Sequence, residues 1–185
     1  GDYIYEYGTN EYGETRPYEP AHEILTLADY RTRYSQYRRD PDLQAVHAAH
    51  PFIVVWDDHE VADNSWRDGA NNHQPDTEGA FADRKAAALQ AYREWMPIRD
   101  SADGHIYRKL AFGDLVELFM LDTRLLGRDL QSDVGGPPRG LRGGLVAQEH
   151  GAERRHLHQR AVVVPLFGSL VAMTRPMLPV PPEPS

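Results

Sequence analysis

The chain contains no cysteine, which excludes disulfides, thiolate zinc fingers and thiol nucleophiles and leaves the redox compartment undetermined. Positive charge is also in short supply, with 20 Lys and Arg against 28 Asp and Glu and a net charge of −8. A broad attraction to nucleic acid phosphates or to an acidic membrane surface is therefore disfavoured, and an anionic substrate would need a local remedy such as a metal. No apolar run approaches the ~20 residues that span a bilayer. Residues 1–20 are too polar for a signal peptide, and no internal repeat is found. What remains, at 185 residues, is enough for one ordinary domain with a hydrophobic core.

The charge is unevenly spread. Residues 1–134 carry 14 basic and 25 acidic side chains, whereas residues 135–185 carry 6 and 3. The second segment has no Lys, Asp, Tyr or Trp, yet it holds 8 of the 14 prolines and 7 of the 15 glycines. Stretches such as GGPPRGLRGGL and RPMLPVPPEPS disfavour packed helices and strands, because Gly adds backbone entropy and Pro lacks the donor both ladders need. The expectation is a domain over 1–133 and a Gly/Pro/Arg-rich tail over 134–185. The tail reads either as irregular or disordered coil or as sequence from a shifted reading frame.

The first segment has ordinary punctuation. Thr26 predicts the cap of a helix running through Arg38, with Leu27, Tyr30, Tyr34 and Tyr37 on one core-facing side. Asp40-Pro41 predicts a second helix to about Ala49, ended by Pro51. Phe52 to Trp56 is a continuous apolar run bounded by proline and charge, as in a strand buried on both faces. A long helix is expected from about Thr77 to Met96, presenting Phe81, Lys85, Ala88, Leu89, Tyr92 and Trp95. HIYRKLAF, the turn GD, and LVELFML predict a β-hairpin. The resulting fold class is a layered α/β protein, with ligands at the carboxyl ends of strands, where Asp57 to Glu60 and Asp122 to Arg124 would fall.

Carboxylates converging at strand ends repel unless a cation neutralises them. Asp, His, Asn and Tyr suit hard or borderline cations such as Fe³⁺, Mn²⁺, Ca²⁺ or Mg²⁺. Asp57 and Asp58 are adjacent, so in a strand they would face opposite ways and one would be the ligand. His59 is the acid/base candidate, because its ordinary pKa of ~6.5 allows proton transfer near neutrality. Asp2 and Tyr5, at spacing D-x-x-Y, would let a bridging carboxylate and a phenolate meet one metal pair. The competing reading is a solvated, helix-capping acidic loop beside a tyrosine-rich one.

The motifs GDYIYEY, TLADYRTRYSQYRRDPDLQAVHAAHPFIVVWDDHEVADN, AYREWMPIR and LDTR, in that order, closely resemble the PhoD-like alkaline phosphatases, a branch of the metallophosphoesterases. The resemblance covers about residues 1–133. It implies a four-layer α/β/β/α sandwich with metals at the strand ends. It also implies hydrolysis of phosphate monoesters and diesters by a metal-bound hydroxide that attacks phosphorus. Residue by residue, Asp2 matches a metal-bridging aspartate, Tyr5 a ligand to ferric iron, Asp58 the position of a ligand asparagine, and His59 the histidine beside the leaving group. Asp57 and Asn64 match supporting or calcium-contacting positions, and Asp122 and Arg124 would orient the site, touch phosphate or form a structural ion pair. Fe³⁺ with Ca²⁺ is the implied cofactor set, and an extracellular or periplasmic setting is the implied location, although the chain shows no export signal.

The chain also departs from the family. It starts at the Gly-Asp motif, without a preceding strand that would bring a first ligand. The tail's near match to a later histidine motif, His156 to His158, lies in a basic setting that repels cations. With ligands missing, the isolated chain is expected to be inactive. The alternative is a non-catalytic remnant, such as a weak calcium-binding structural fragment.

Overall fold

A computed structural model describes residues 1–12, 16–99, 101 and 103–131, together with the backbone of residues 161–166 and 169–174. Helix α1 spans Leu27–Arg38 and opens on a reciprocal capping box. The Thr26 hydroxyl accepts from the Asp29 N–H, while the Asp29 carboxylate accepts from the Thr26 N–H, so two orphan donors of the first turn are satisfied at once. The expected face is the buried one: Tyr30 and Tyr34 are wholly inside, and Leu27 and Tyr37 pack against the same core. Helix α2, Pro41–Ala49, starts where Asp40 accepts from the N–H groups of Asp42 and Leu43, and it lies on the surface.

The helix expected from 77 to 96 is two helices, α3 at Pro75–Glu78 and α4 at Phe81–Trp95. Gly79 separates them. Its backbone sits at φ +84° and ψ −163°, a region that essentially only glycine occupies. Along α4 the buried face carries Arg84 in place of the expected Lys85, whose ammonium instead donates to the Arg67 carbonyl at the surface. Helices α1 and α4 pack through Tyr34 stacked on Trp95, and Tyr92 meets Trp56 edge-on.

Residues 52–56 correct another expectation. Val54, Val55 and Trp56 are buried as a core run should be, but no strand is formed there. The Val54 carbonyl is met by the Arg108 guanidinium at 2.6 Å, a side-chain donor where a ladder would place a backbone one. Burial makes the run apolar, whereas a strand also needs a paired neighbour.

The hairpin is present, as β1 (Arg108–Phe112) and β2 (Val116–Met120) in antiparallel register with Phe112 opposite Val116. Its turn has three residues, not two. Gly113 takes φ +56°, and Leu115, expected in the strand, is exposed in the turn. Two further strands, β3 (Ala161–Leu166) and β4 (Ser169–Thr174), complete an antiparallel sheet in the order β1-β2-β4-β3. These strands fall within the segment expected to be coil. Their Val162-Val163-Val164 and Leu170-Val171 runs are β-formers whose propensity outweighs the surrounding Gly and Pro. The rest of that tail, including His156 to His158, lies outside the described residues. Helices and an antiparallel sheet together make a fold of α/β character. Among the described residues no helix is long and apolar enough to cross a membrane.

Candidate metal centre

The buried run ending at Trp56 delivers Asp57 into a tight turn in which the Asp58 carbonyl accepts from the N–H groups of both Val61 and Ala62 at 2.8 Å. The turn is tied to the start of the chain by Glu60. This carboxylate, 1% exposed, accepts from the N–H groups of Asp2 (3.1 Å), Tyr3 (2.5 Å) and Asp57 (2.6 Å). Burial nevertheless pushes the Glu60 carboxyl above its ordinary range. Close approach of the two segments requires Gly1, since a Cβ there would lie 2.2 Å from the Asp57 Cβ. Asp2 itself takes a left-handed backbone, φ 52°, which is costly for a side-chain-bearing residue and recurs at functional sites.

Asp2, Asp58 and His59 each bring one ligand atom to a common point, all within 4.8 Å of one another. Asp57 lies outside that group and pairs with Arg124 Nε. Arg124 also reaches Asp58 Oδ1 through Nη2, at 3.2 Å. Asn64 donates its backbone N–H to Asp58 Oδ2 at 2.6 Å, and its side-chain oxygen accepts from Arg128 at 2.6 Å and Arg124 at 3.3 Å. Asp122 does not pair with Arg124 through side chains. Its Oδ1 caps the turn by accepting from the N–H groups of Arg124 and Leu125, which aims Arg124 back at the aspartates.

The cluster fits a cation. Asp2 Oδ1 is buried with no hydrogen-bond partner, and an orphaned carboxylate oxygen of this kind carries the full desolvation cost unless an ion meets it. Burial first, and then the neighbouring Asp57 charge, push the Asp2 carboxyl up. Two carboxylates and an imidazole are the donor set of hard to borderline divalent or trivalent ions. Tyr5 is beside them: its ring lies 4.4 Å from that of His59, and burial, followed by the Asp2 charge, pushes its hydroxyl up to about 12.

Sequence reasoning missed Glu6. The residue is wholly buried and accepts from Asp63 N (2.6 Å) and Asn72 Nδ2 (3.1 Å), while its other oxygen stands 2.8 Å from His59 Nδ1. Burial lowers the His59 pKa, but the Glu6 bond and the charges of Glu6, Asp58 and Asp2 outweigh it and raise the imidazole to about 9. With Nδ1 so engaged, Nε2 is the nitrogen free for a ligand or substrate. A signal existed in the period-two alternation of the extended opening, which puts Ile4 and Glu6 together inside while Tyr5 and Tyr7 face the other way. Arg33 was also missed. Fully buried, it donates to the carbonyls of Tyr5, Tyr7, Glu19, Pro20 and His22, gathering the opening segment and the residue 19–22 loop onto α1.

The chain has relatives among known proteins. The family model of the PhoD-like phosphatases matches residues 1–162, so the match runs past residue 133, where the quoted motifs end. Alkaline phosphatase D of Bacillus subtilis (strain 168) is 46% identical over 147 residues, which cover 75% of this chain and 25% of that protein. A solved structure of PhoD superposes with a TM-score of 0.63 at 46% identity, over 70% of this chain and 26% of that one. The chain thus spans about a quarter of the length of these relatives. On this match, and on the motifs that build the cluster, the chain belongs to the PhoD-like phosphatase family.

Proposed function

We propose that the chain carries the Gly-Asp and Asp-Asp-His-Glu portion of a metal-dependent phosphate ester hydrolase site. The observation that supports this most directly is the convergence of Asp2, Asp58 and His59 with an unpartnered, buried Asp2 oxygen. In this reading Asp2, Asp58 and Tyr5 hold the cation, His59 stands beside the leaving group, and Fe³⁺ with Ca²⁺ is the preferred set. A cation held there would lower the pKa of a water molecule and neutralise charge on the phosphoryl oxygens. The protein's own contributions are distinct. Glu6 orients the His59 ring and favours the protonated imidazole, which can give a proton to a departing oxygen. Arg124 and the Asn64 N–H each hold one oxygen of the Asp58 carboxylate.

Substrates are phosphate monoesters and diesters, handled outside the cytoplasm as in an exported enzyme. The domain is a four-layer α/β/β/α sandwich of which residues 1–133 form part, and β3 and β4 extend its sheet beyond them. Among the described residues only three His or carboxylate ligands converge, fewer than a two-ion site uses, so the 185-residue chain alone binds a cation with little turnover.

The test is calorimetric titration of the purified chain with Mn²⁺ and Ca²⁺, alongside hydrolysis of bis-p-nitrophenyl phosphate. Saturable binding weakened about 10–100-fold or more in Asp2→Asn and Asp58→Asn is expected, with hydrolysis near background. Binding indifferent to both substitutions would sink the metal-site reading. Robust hydrolysis abolished by His59→Ala would instead overturn the low turnover and keep the phosphatase.

A further inference from the structure

Around His59 stand three tyrosine rings, of which Tyr5 alone has a part in holding the cation. Tyr5 and Tyr7 are two residues apart in an extended segment and so face the same way. The chain then reverses, with the Glu11 N–H bonded to the Gly8 carbonyl at 3.2 Å and the Glu11 carboxylate holding the Gly8 N–H at 2.7 Å. That reversal lays Tyr12 parallel to both earlier rings, with centroids 5.0 Å away and interplanar angles of 14° and 11°. The His59 ring lies 4.4, 5.7 and 6.3 Å from Tyr5, Tyr7 and Tyr12. Tyr12 is nonetheless 51% exposed. Two half-buried neighbours flank a large aromatic surface open to solvent, immediately beside the group that would face a leaving oxygen.

We infer that Tyr5, Tyr7 and Tyr12 form a stacking wall that selects phosphate esters whose leaving group is a flat aromatic ring, as in an aryl ester. This rests on the phosphatase reading above. Hydrolysis breaks the phosphorus–oxygen bond, water supplying an oxygen to phosphorus and a proton to the departing oxygen. With the phosphoryl group at Asp2 and Asp58 and the departing oxygen at His59, the substituent on that oxygen lies against the three rings. A planar substituent gains offset stacking there. A short alkyl group gains almost none, so the wall discriminates by shape and polarisability.

The experiment measures binding of phenylphosphonate and methylphosphonate, which have no scissile ester, to the Mn²⁺-loaded 185-residue chain by calorimetry. Phenylphosphonate is expected to bind about tenfold more tightly, as one aromatic stack provides. Tyr12→Ala should bring that preference close to unity, while Tyr12→Phe should keep it. Equal affinity for the two phosphonates in the unsubstituted chain, or a preference that survives Tyr12→Ala, overturns the wall and leaves the phosphatase reading standing. If neither phosphonate binds in a metal-dependent way, the phosphatase reading fails and the wall fails with it.

Discussion

Glu6 and Glu60 are both buried carboxylates near the same aspartates, and their partners separate their roles. Glu60 accepts three backbone N–H groups and nothing else, so it joins two chain segments. Glu6 divides its oxygens between the 63–72 loop and the His59 ring, so it fixes the position of the imidazole. Glu6→Gln keeps the volume and loses the charge. We expect the imidazole pKa, raised to about 9 against the effect of burial, with the Glu6 bond and charge as the main raising causes, to fall toward its ordinary ~6.5 in a histidine NMR pH titration, with the helical circular dichroism unchanged. An unchanged imidazole pKa would show that Glu6 does not hold the proton on His59. Asp58, rather than Asp57, joins the cluster, a choice that adjacency in sequence leaves open.

At the scale of elements, stability is decided at the ends. In α1, burial tends to raise the Asp29 carboxyl, but bonds from Thr26 and Leu25 hold it below its ordinary value of 3.8. A carboxyl with a depressed folded pKa stabilises the fold fully above the unfolded value and loses that contribution as pH falls through the folded one. The stability gap between the unsubstituted chain and Asp29→Asn should therefore be constant above about pH 5 and close below pH 3.8. Urea titrations at several pH values measure it. Thr26→Ala should cost about 1 kcal/mol by removing the same cap. Gly79→Ala tests the break between α3 and α4. No atom lies within 4 Å of the added Cβ, so the loss of about 1–3 kcal/mol expected in a urea midpoint is conformational strain alone. These caps were legible as Thr26, Asp40 and Pro41, because capping is local. The Gly79 break was not read, because the apolar spacing continues across it.

For the molecule as a whole, Arg33 concentrates the long-range contacts. It has no carboxylate partner among its hydrogen bonds and instead draws carbonyls from the opening segment and the 19–22 loop onto α1, with Tyr18 over its guanidinium at 4.3 Å. Arg33→Met should destabilise the chain by about 3 kcal/mol or more in chemical denaturation, since several buried carbonyls lose their donor together. Arg33→Lys should recover less than half of that, because an ammonium lacks the planar fork that spans them. A loss under about 1 kcal/mol in Arg33→Met would refute this role. The sequence by itself determined what local chemistry dictates: the caps of α1 and α2, the hairpin, the burial of residues 54–56, and the concentration of ligands in the Gly-Asp and Asp-Asp-His-Glu motifs. Only the tertiary structure decided which carboxylates converge, that Glu6 stands behind His59, and that residues 52–56 meet an arginine where a strand was expected. Those outcomes depend on partners some fifty residues apart in sequence, and periodicity and spacing report a residue's neighbours along the chain, not those across it.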